Sequence, residues 1–166
     1  MRNVEYRLAT RADLESLWNA NIADNPEDDR WVRWKDEYIG YHQAGKSATF
    51  AVIVDGTPVG EGTLLFSPAC KAINGRTALA DGETTANVNA LRIRKEHEGK
   101  GHISTLMRLM EQYAAARGYR CLTIGVEAKE TRNLAIYLHW GYRTYVMSAL
   151  EDGELVLYYG KQIEMH

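Results

Sequence analysis

The sequence predicts an α/β domain built on a central, mixed but mostly antiparallel sheet of about seven strands, with about four helices flanking it on both faces. Three observations predict it. Short runs of strand character are joined at Asp-Gly pairs, the mark of tight hairpins. Other runs repeat apolar residues at helical spacing. Between Thr85 and Val126 a strand, a helix and a strand follow one another, the order of a parallel crossover.

Taken in order, Val4 to Ala9 alternates as a first strand. Thr10 then caps a helix with Asp13 in its first turn and Leu14, Leu17 and Trp18 as its apolar stripe. Asn25-Pro26-Glu27-Asp28-Asp29 interrupts the chain, after which Trp31, Trp34, Tyr38 and Tyr41 recur at helical spacing. That stripe either packs in the core or forms a wall for an amine ligand, since aromatic rings beside an acidic turn suit a cation. Ser47 to Val54 and Thr57 to Ser67 form a hairpin around Asp55-Gly56, and Pro68 to Glu83 is a long loop. Thr85 to Arg94 is a strand. Glu98 to Gly118 is a helix, with Ile103, Leu106, Met110 and Tyr113 on one face and Gly118 at its end. Cys121 to Val126 is a central strand, Thr131 to Trp140 a helix closed by Gly141, and Tyr142 to Leu150 with Glu154 to Lys161 a last hairpin around Asp152-Gly153. No repeat, low-complexity tract or linker divides the chain, so one domain over 1–166 is expected.

The composition narrows the function. With 166 residues, 45% of them hydrophobic and 25% charged, the chain can bury a sizeable core. Twenty basic against 22 acidic residues leave a net charge of -2, without the broad basic footprint of a nucleic-acid or anionic-membrane binder. No apolar run approaches the roughly 20 residues of a membrane span, and the N-terminus lacks the apolar stretch of a signal peptide. Cys70 and Cys121 lie in separate segments with no C-x-x-C spacing, so no metal site is expected and Cys121 reads as a reduced core thiol. The expected compartment is the cytoplasm.

The stretch that carries chemistry is Leu91-Arg92-Ile93-Arg94-Lys95-Glu96-His97-Glu98-Gly99-Lys100-Gly101-His102-Ile103-Ser104. A strand ends, a polar turn follows, and two glycines open a helix. The first amides of a helix lack internal partners and the macrodipole favours anions there, while glycine lets a phosphate approach the backbone. Lys100 and His102 could add positive charge. The spacing is neither a Walker loop nor a dinucleotide fingerprint, because Ser104 stands where the third glycine would be.

Downstream, Tyr137 stands four residues before Gly141-Tyr142 on the next helix but one strand. Together the two halves, over Asn87 to Tyr142, resemble the GNAT superfamily of acyl-CoA-dependent N-acetyltransferases. That family pairs a strand ending in L-x-V with a Q/R-x-x-G-x-G/A turn, then an N-x-x-A-x-x-x-Y helix and a G-F/Y. This sequence differs in having Glu98 for Gln or Arg, Ile103 for a small residue, and Glu130 and Asn133 at the positions of the family's Asn and Ala.

The resemblance implies a GNAT-like fold and acetyl-CoA as acyl donor. Backbone groups of Leu91, Arg92 and Ile93 would pair with the pantetheine arm, and the turn from Glu98 through Gly99, Lys100, Gly101, His102, Ile103 and Ser104, with Asn133, would hold the rest of the cofactor. Tyr137 would be the general acid toward the leaving thiolate, since a phenol stays protonated at neutral pH. The general base is open among Glu61, Asn89 and Glu127, or a base acting through water. The implied activity moves an acetyl group to a primary amine of a small molecule or a peptide, by direct attack in a ternary complex. Asp24, Glu27, Asp28 and Asp29, with Asp81 and Glu83, could attract that amine. The alternative is a non-catalytic acyl-CoA-binding or sensing module, suggested by the irregular turn. The last hairpin could pair across a homodimer.

Overall fold

The computed structural model describes residues 2–164; Met1, Met165 and His166, which the expected 1–166 domain includes, lie outside the described residues. Strand β1 (Val4–Leu8) leads into helix α1 (Arg11–Asp24) and helix α2 (Arg30–Gln43). Thr10 starts α1 with a full capping box: its hydroxyl accepts from the Asp13 amide, and the Asp13 carboxylate accepts from the Thr10 amide. Leu14, Leu17 and Trp18 are buried, as the stripe predicts.

Strands β2 (Ser47–Val54) and β3 (Thr57–Leu65) follow, joined at Asp55 and Gly56. These two residues have φ of 49° and 80°, so both lie in the left-handed region that a two-residue hairpin turn requires. Asp152 and Gly153 repeat the geometry between β6 (Thr144–Glu151) and β7 (Glu154–Gln162). Every residue of β2 is buried, which its β-branched and aromatic content allows.

Strand β4 (Thr85–Ile93), helix α3 (His102–Ala116) and strand β5 (Cys121–Glu127) make the crossover, and β4 pairs parallel with β5 from Thr85–Cys121 to Val88–Ile124. Helix α4 (Thr131–His139) follows β5. The seven strands form one sheet in the order β1-β2-β3-β4-β5-β7-β6, with β1–β2, β5–β7 and β6–β7 antiparallel. Strand β7 thus separates β5 from β6.

One boundary departs from expectation. The helix predicted from Glu98 starts at His102, because Gly99 and Gly101 have φ of 76° and 79° and break the helical path; a single 3-10 turn occupies Lys95–His97 instead. The buried face of α3 is accordingly Leu106, Met107, Met110 and Ala114, while Ile103 and Tyr113 are only half-buried. Two compact units can be distinguished: the chain through Leu64 with Ala90–Met110, and Leu65–Asn89 with the chain from Glu111 on.

Candidate active site

In the first unit, the alternation of a strand decides what faces what. Gly60 and Gly62 share one face of β3, and a Cβ there would come within 2.6 Å of the Ile93 side chain and 2.8 Å of Leu91 and Met110. That face is therefore filled by apolar neighbours seated directly on the backbone. Glu61, between the glycines, faces the other way, and so does Arg92 between Leu91 and Ile93. Helix α1 supplies Asn21, one turn beyond Leu17 and Trp18 on the same stripe.

Glu61 is 2% exposed. The Asn21 amide donates to its Oε2 at 2.9 Å, whereas its buried Oε1 has no hydrogen-bond partner. The Arg92 Nε lies 3.7 Å from Oε2, too far for a hydrogen bond, and is itself unpartnered. Its guanidinium is held by ring faces instead, 5.1 Å from the Trp18 centroid and 4.9 Å from that of Trp31. Burial pushes the Glu61 carboxyl above the ordinary carboxylate value, against the opposing pull of Arg92 and Asn21. Glu61, Asn21, Arg92 and Trp31 line a cleft of about 220 Å³ that also touches Leu17, Asp24 and Arg94. Within the aromatic stripe, Tyr38 is core and Trp31 lines the cleft.

The glycine turn belongs to the same unit. The first bond of the α3 ladder runs from the Thr105 amide to the Gly101 carbonyl, at 3.1 Å. Among the described residues, the amides from Gly99 to Ser104 donate to no backbone carbonyl outside that ladder. A Cβ on Gly99 or Gly101 would meet only open space, so their need for glycine is conformational. Glu98 and Lys100 are exposed and Ile103 is half-buried; the Ser104 hydroxyl donates back to the Gly101 carbonyl at 3.2 Å. The His102 ring is buried, its Nδ1 shares a 2.8 Å hydrogen bond with the Tyr6 hydroxyl, and burial, then His97 and Lys100, lower its pKa. The lowered pKa favours the neutral ring, and Lys100 is the exposed cation of this turn.

In the second unit, Tyr137 is half-buried on α4, its ring 5.7 Å from that of Trp140. Burial, and secondarily Glu130, raise its pKa, so it keeps its proton at neutral pH. Asn133 is exposed on the same helix. Asn89 is half-buried and donates to Asn87 Oδ1 at 3.5 Å, and Asn87 in turn bonds the buried Thr123 hydroxyl at 2.9 Å. Glu127, at the end of β5, pairs with Lys129 at 3.7 Å. Of the three candidate bases, Glu61 alone combines deep burial with an unpartnered carboxylate oxygen and a cleft wall.

The acidic residues expected to attract an amine are largely engaged otherwise. Asp28 is held by Arg30 at 2.8 Å, a contact that brings its pKa to about 2. Asp24 pairs with Arg94 at 3.3 Å. Asp81 accepts from the amides of Glu83, Thr84 and Thr85 and from the Thr84 hydroxyl; burial opposes these bonds, but together they hold it well below the carboxylate range. Sequence reasoning missed Asn21, although its position three and four residues beyond Trp18 and Leu17 places it on the buried stripe.

A family model described as acetyltransferase (GNAT) family matches residues 11–142. The chain belongs to that family. No curated relative matches the sequence. Solved structures similar to this acetyltransferase include RimL, a ribosomal L7/L12 alpha-N-protein acetyltransferase in complex with coenzyme A. It is 16% identical with a TM-score of 0.69, over 98% of this chain and 96% of that one. Salmonella typhimurium yncA, solved with its cofactor acetyl-CoA, is 14% identical with a TM-score of 0.71, over 98% and 95%. The ribosomal-protein-alanine N-acetyltransferase of Brucella melitensis is 15% identical with a TM-score of 0.71, over 96% and 99%. At these identities the likeness establishes the GNAT fold of this acetyltransferase. No helix among its described residues is long and apolar enough to cross a membrane.

Proposed function

We propose that this protein transfers an acetyl group from acetyl-CoA to a primary amine of a small molecule or peptide, by direct attack in a ternary complex. The observation that carries the reading is Glu61: a deeply buried carboxyl with one unpartnered oxygen, lining a cleft in a chain of the acetyltransferase family. A carboxylate is kept in such a place at a cost unless it has work to do there.

Acetyl-CoA supplies an activated thioester carbonyl when bound. The amides from Gly99 to Ser104 would hold its pyrophosphate, and the backbone of Leu91, Arg92 and Ile93 would run beside its pantetheine arm. The open space and left-handed backbone at Gly99 and Gly101 suit that load. Ionised Glu61 takes a proton from the acceptor's ammonium, freeing the lone pair that forms the new C–N bond. The C–S bond breaks, and the hydroxyl of Tyr137, at the family's general-acid position, would give its proton to the departing sulfur; the second proton that nitrogen loses as the amide forms returns through solvent to the tyrosine oxygen. Such chemistry suits the cytoplasm, where thiols like those of Cys70 and Cys121 stay reduced.

The test is release of free coenzyme A thiol from acetyl-CoA across a panel of amines. Release should require an amine and fall in Tyr137→Phe and Glu61→Gln. Tight acetyl-CoA binding with no turnover on any amine would make the protein a sensor instead. Failure to bind acetyl-CoA would end the proposal.

A further inference from the structure

We infer that the acceptor is a small amino acid, an amine with an anionic group one or two carbons away, whose anion is read by the Arg92 side chain. The inference rests on the proposed acetyl transfer for its context, but its observations concern the cleft alone.

Charge is the first of them. The ionisable cleft residues are two acids, Glu61 and Asp24, and two arginines, Arg92 and Arg94. A site for a polyamine or another polycation would carry an acidic excess; this one is balanced, as a zwitterion requires. The two arginines are not equivalent. Arg94 is already paired, 3.3 Å from Asp24 and 3.5 Å from Glu96. Arg92 packs against two indole rings with its Nε unpartnered, and its nearest carboxylate is 3.7 Å away. Stacking fixes the plane of a guanidinium while leaving its edge to donate, which is how arginine recognises a carboxylate.

Spacing is the second. Glu61 Oε1 and Arg92 Nε are two unpartnered polar atoms of opposite preference in side chains that nearly touch. A ligand satisfying both must carry its ammonium and its anion close together, as an α- or β-amino acid does. The α-amine of a peptide has no carboxylate so near unless its first residue is itself acidic. Size is the third: about 220 Å³ is smaller than the roughly 300–1,000 Å³ of drug-sized ligand sites.

The test is calorimetric titration of the full chain, with and without coenzyme A, using common α-amino acids and their carboxamides, run beside the thiol-release assay. At least one amino acid should bind about ten- to a hundred-fold more tightly than its carboxamide, the loss expected for a hydrogen bond to a charged group. In Arg92→Gln that preference should shrink to within about three-fold, and Arg92→Lys should restore part of it. If Arg92→Gln does not fold, the wild-type titration decides alone. Equal or tighter binding of the carboxamides or of polyamines, or no amino-acid binding, overturns the inference even if acetyl transfer to other amines is observed. Carboxylate-selective binding without thiol release leaves it standing while removing the proposed transfer.

Discussion

Glu61 and Glu111 are both carboxylates drawn into the protein, one in each compact unit, and their surroundings differ in a way that separates structure from chemistry. Both oxygens of Glu111 are occupied: the buried Tyr142 hydroxyl donates to Oε2 at 2.8 Å, and the Lys161 ammonium lies 2.9 Å and 3.0 Å from the two oxygens. Glu61 has one bonded oxygen, one unpartnered oxygen and a guanidinium held just out of reach. Asp13, in the same unit as Glu61, follows the Glu111 pattern, its carboxylate accepting two bonds from Arg7 and one from the Thr10 amide. A buried acid whose lone pairs are all used holds elements together. One with a spare lone pair beside a cleft can take a proton.

The strongest attempt to break this contrast is Glu61→Gln. Amine-dependent turnover should fall by about 10²–10⁴-fold, while the melting temperature stays level or rises because a neutral amide is easier to bury. Steady-state kinetics with unchanged turnover would put Glu61 in the same class as Glu111. Tyr142→Phe probes the opposite side. It should cost about 1.5–3 kcal/mol in urea unfolding, because a buried bond to a charged group is lost, and leave turnover per folded molecule unchanged. Thr10→Ala should cost about 1 kcal/mol by the same measurement, since it removes the hydroxyl half of the capping box.

The smallest and most specific signature is the pH dependence of stability. The folded pKa of Glu61 is raised, so its contribution is complete below the unfolded carboxylate value and is lost as pH rises through the folded one. Wild type should therefore lose ground to Glu61→Gln as pH increases above the ordinary carboxylate range. For Asp13, burial favours a raised pKa, but the bonds from Arg7 and Thr10 outweigh it and the folded value is lowered. Its contribution is present above the unfolded value and lost as pH falls, so wild type should lose ground to Asp13→Asn in acid. Parallel slopes for the two substitutions would erase the distinction.

How much of this could be read beforehand follows from range. The Asp-Gly hairpins, the Thr10 cap and the two glycines before α3 were legible because each is a local backbone requirement. The helix starting at His102 was placed four residues early, since the sequence does not reveal that both glycines would turn left-handed before the first helical residue. His102 reads as a cation by residue type, and only its burial, with His97 and Lys100 nearby, lowers its pKa once the chain has folded. Glu61 could be named from its strand, as could Glu127, yet residue type and strand position alone did not separate them. The flanking glycines of Gly60-Glu61-Gly62 held the missing signal: small residues on one face mark close packing there and turn the carboxylate to the other.

Element order, the tight turns and the row of amides opening α3 are thus written in the chain, because they depend on residues a few positions apart and on the angles each can adopt. Which acid is spent on structure and which is left able to react is not. That depends on whether Asn21, Arg92 and two indole rings, 30 to 43 positions from Glu61 along the chain, leave an oxygen unsatisfied when β3 and α1 close around it. Desolvation and hydrogen-bond geometry are properties of the assembled interior, and they set the proton affinity of Glu61 where residue type alone could not.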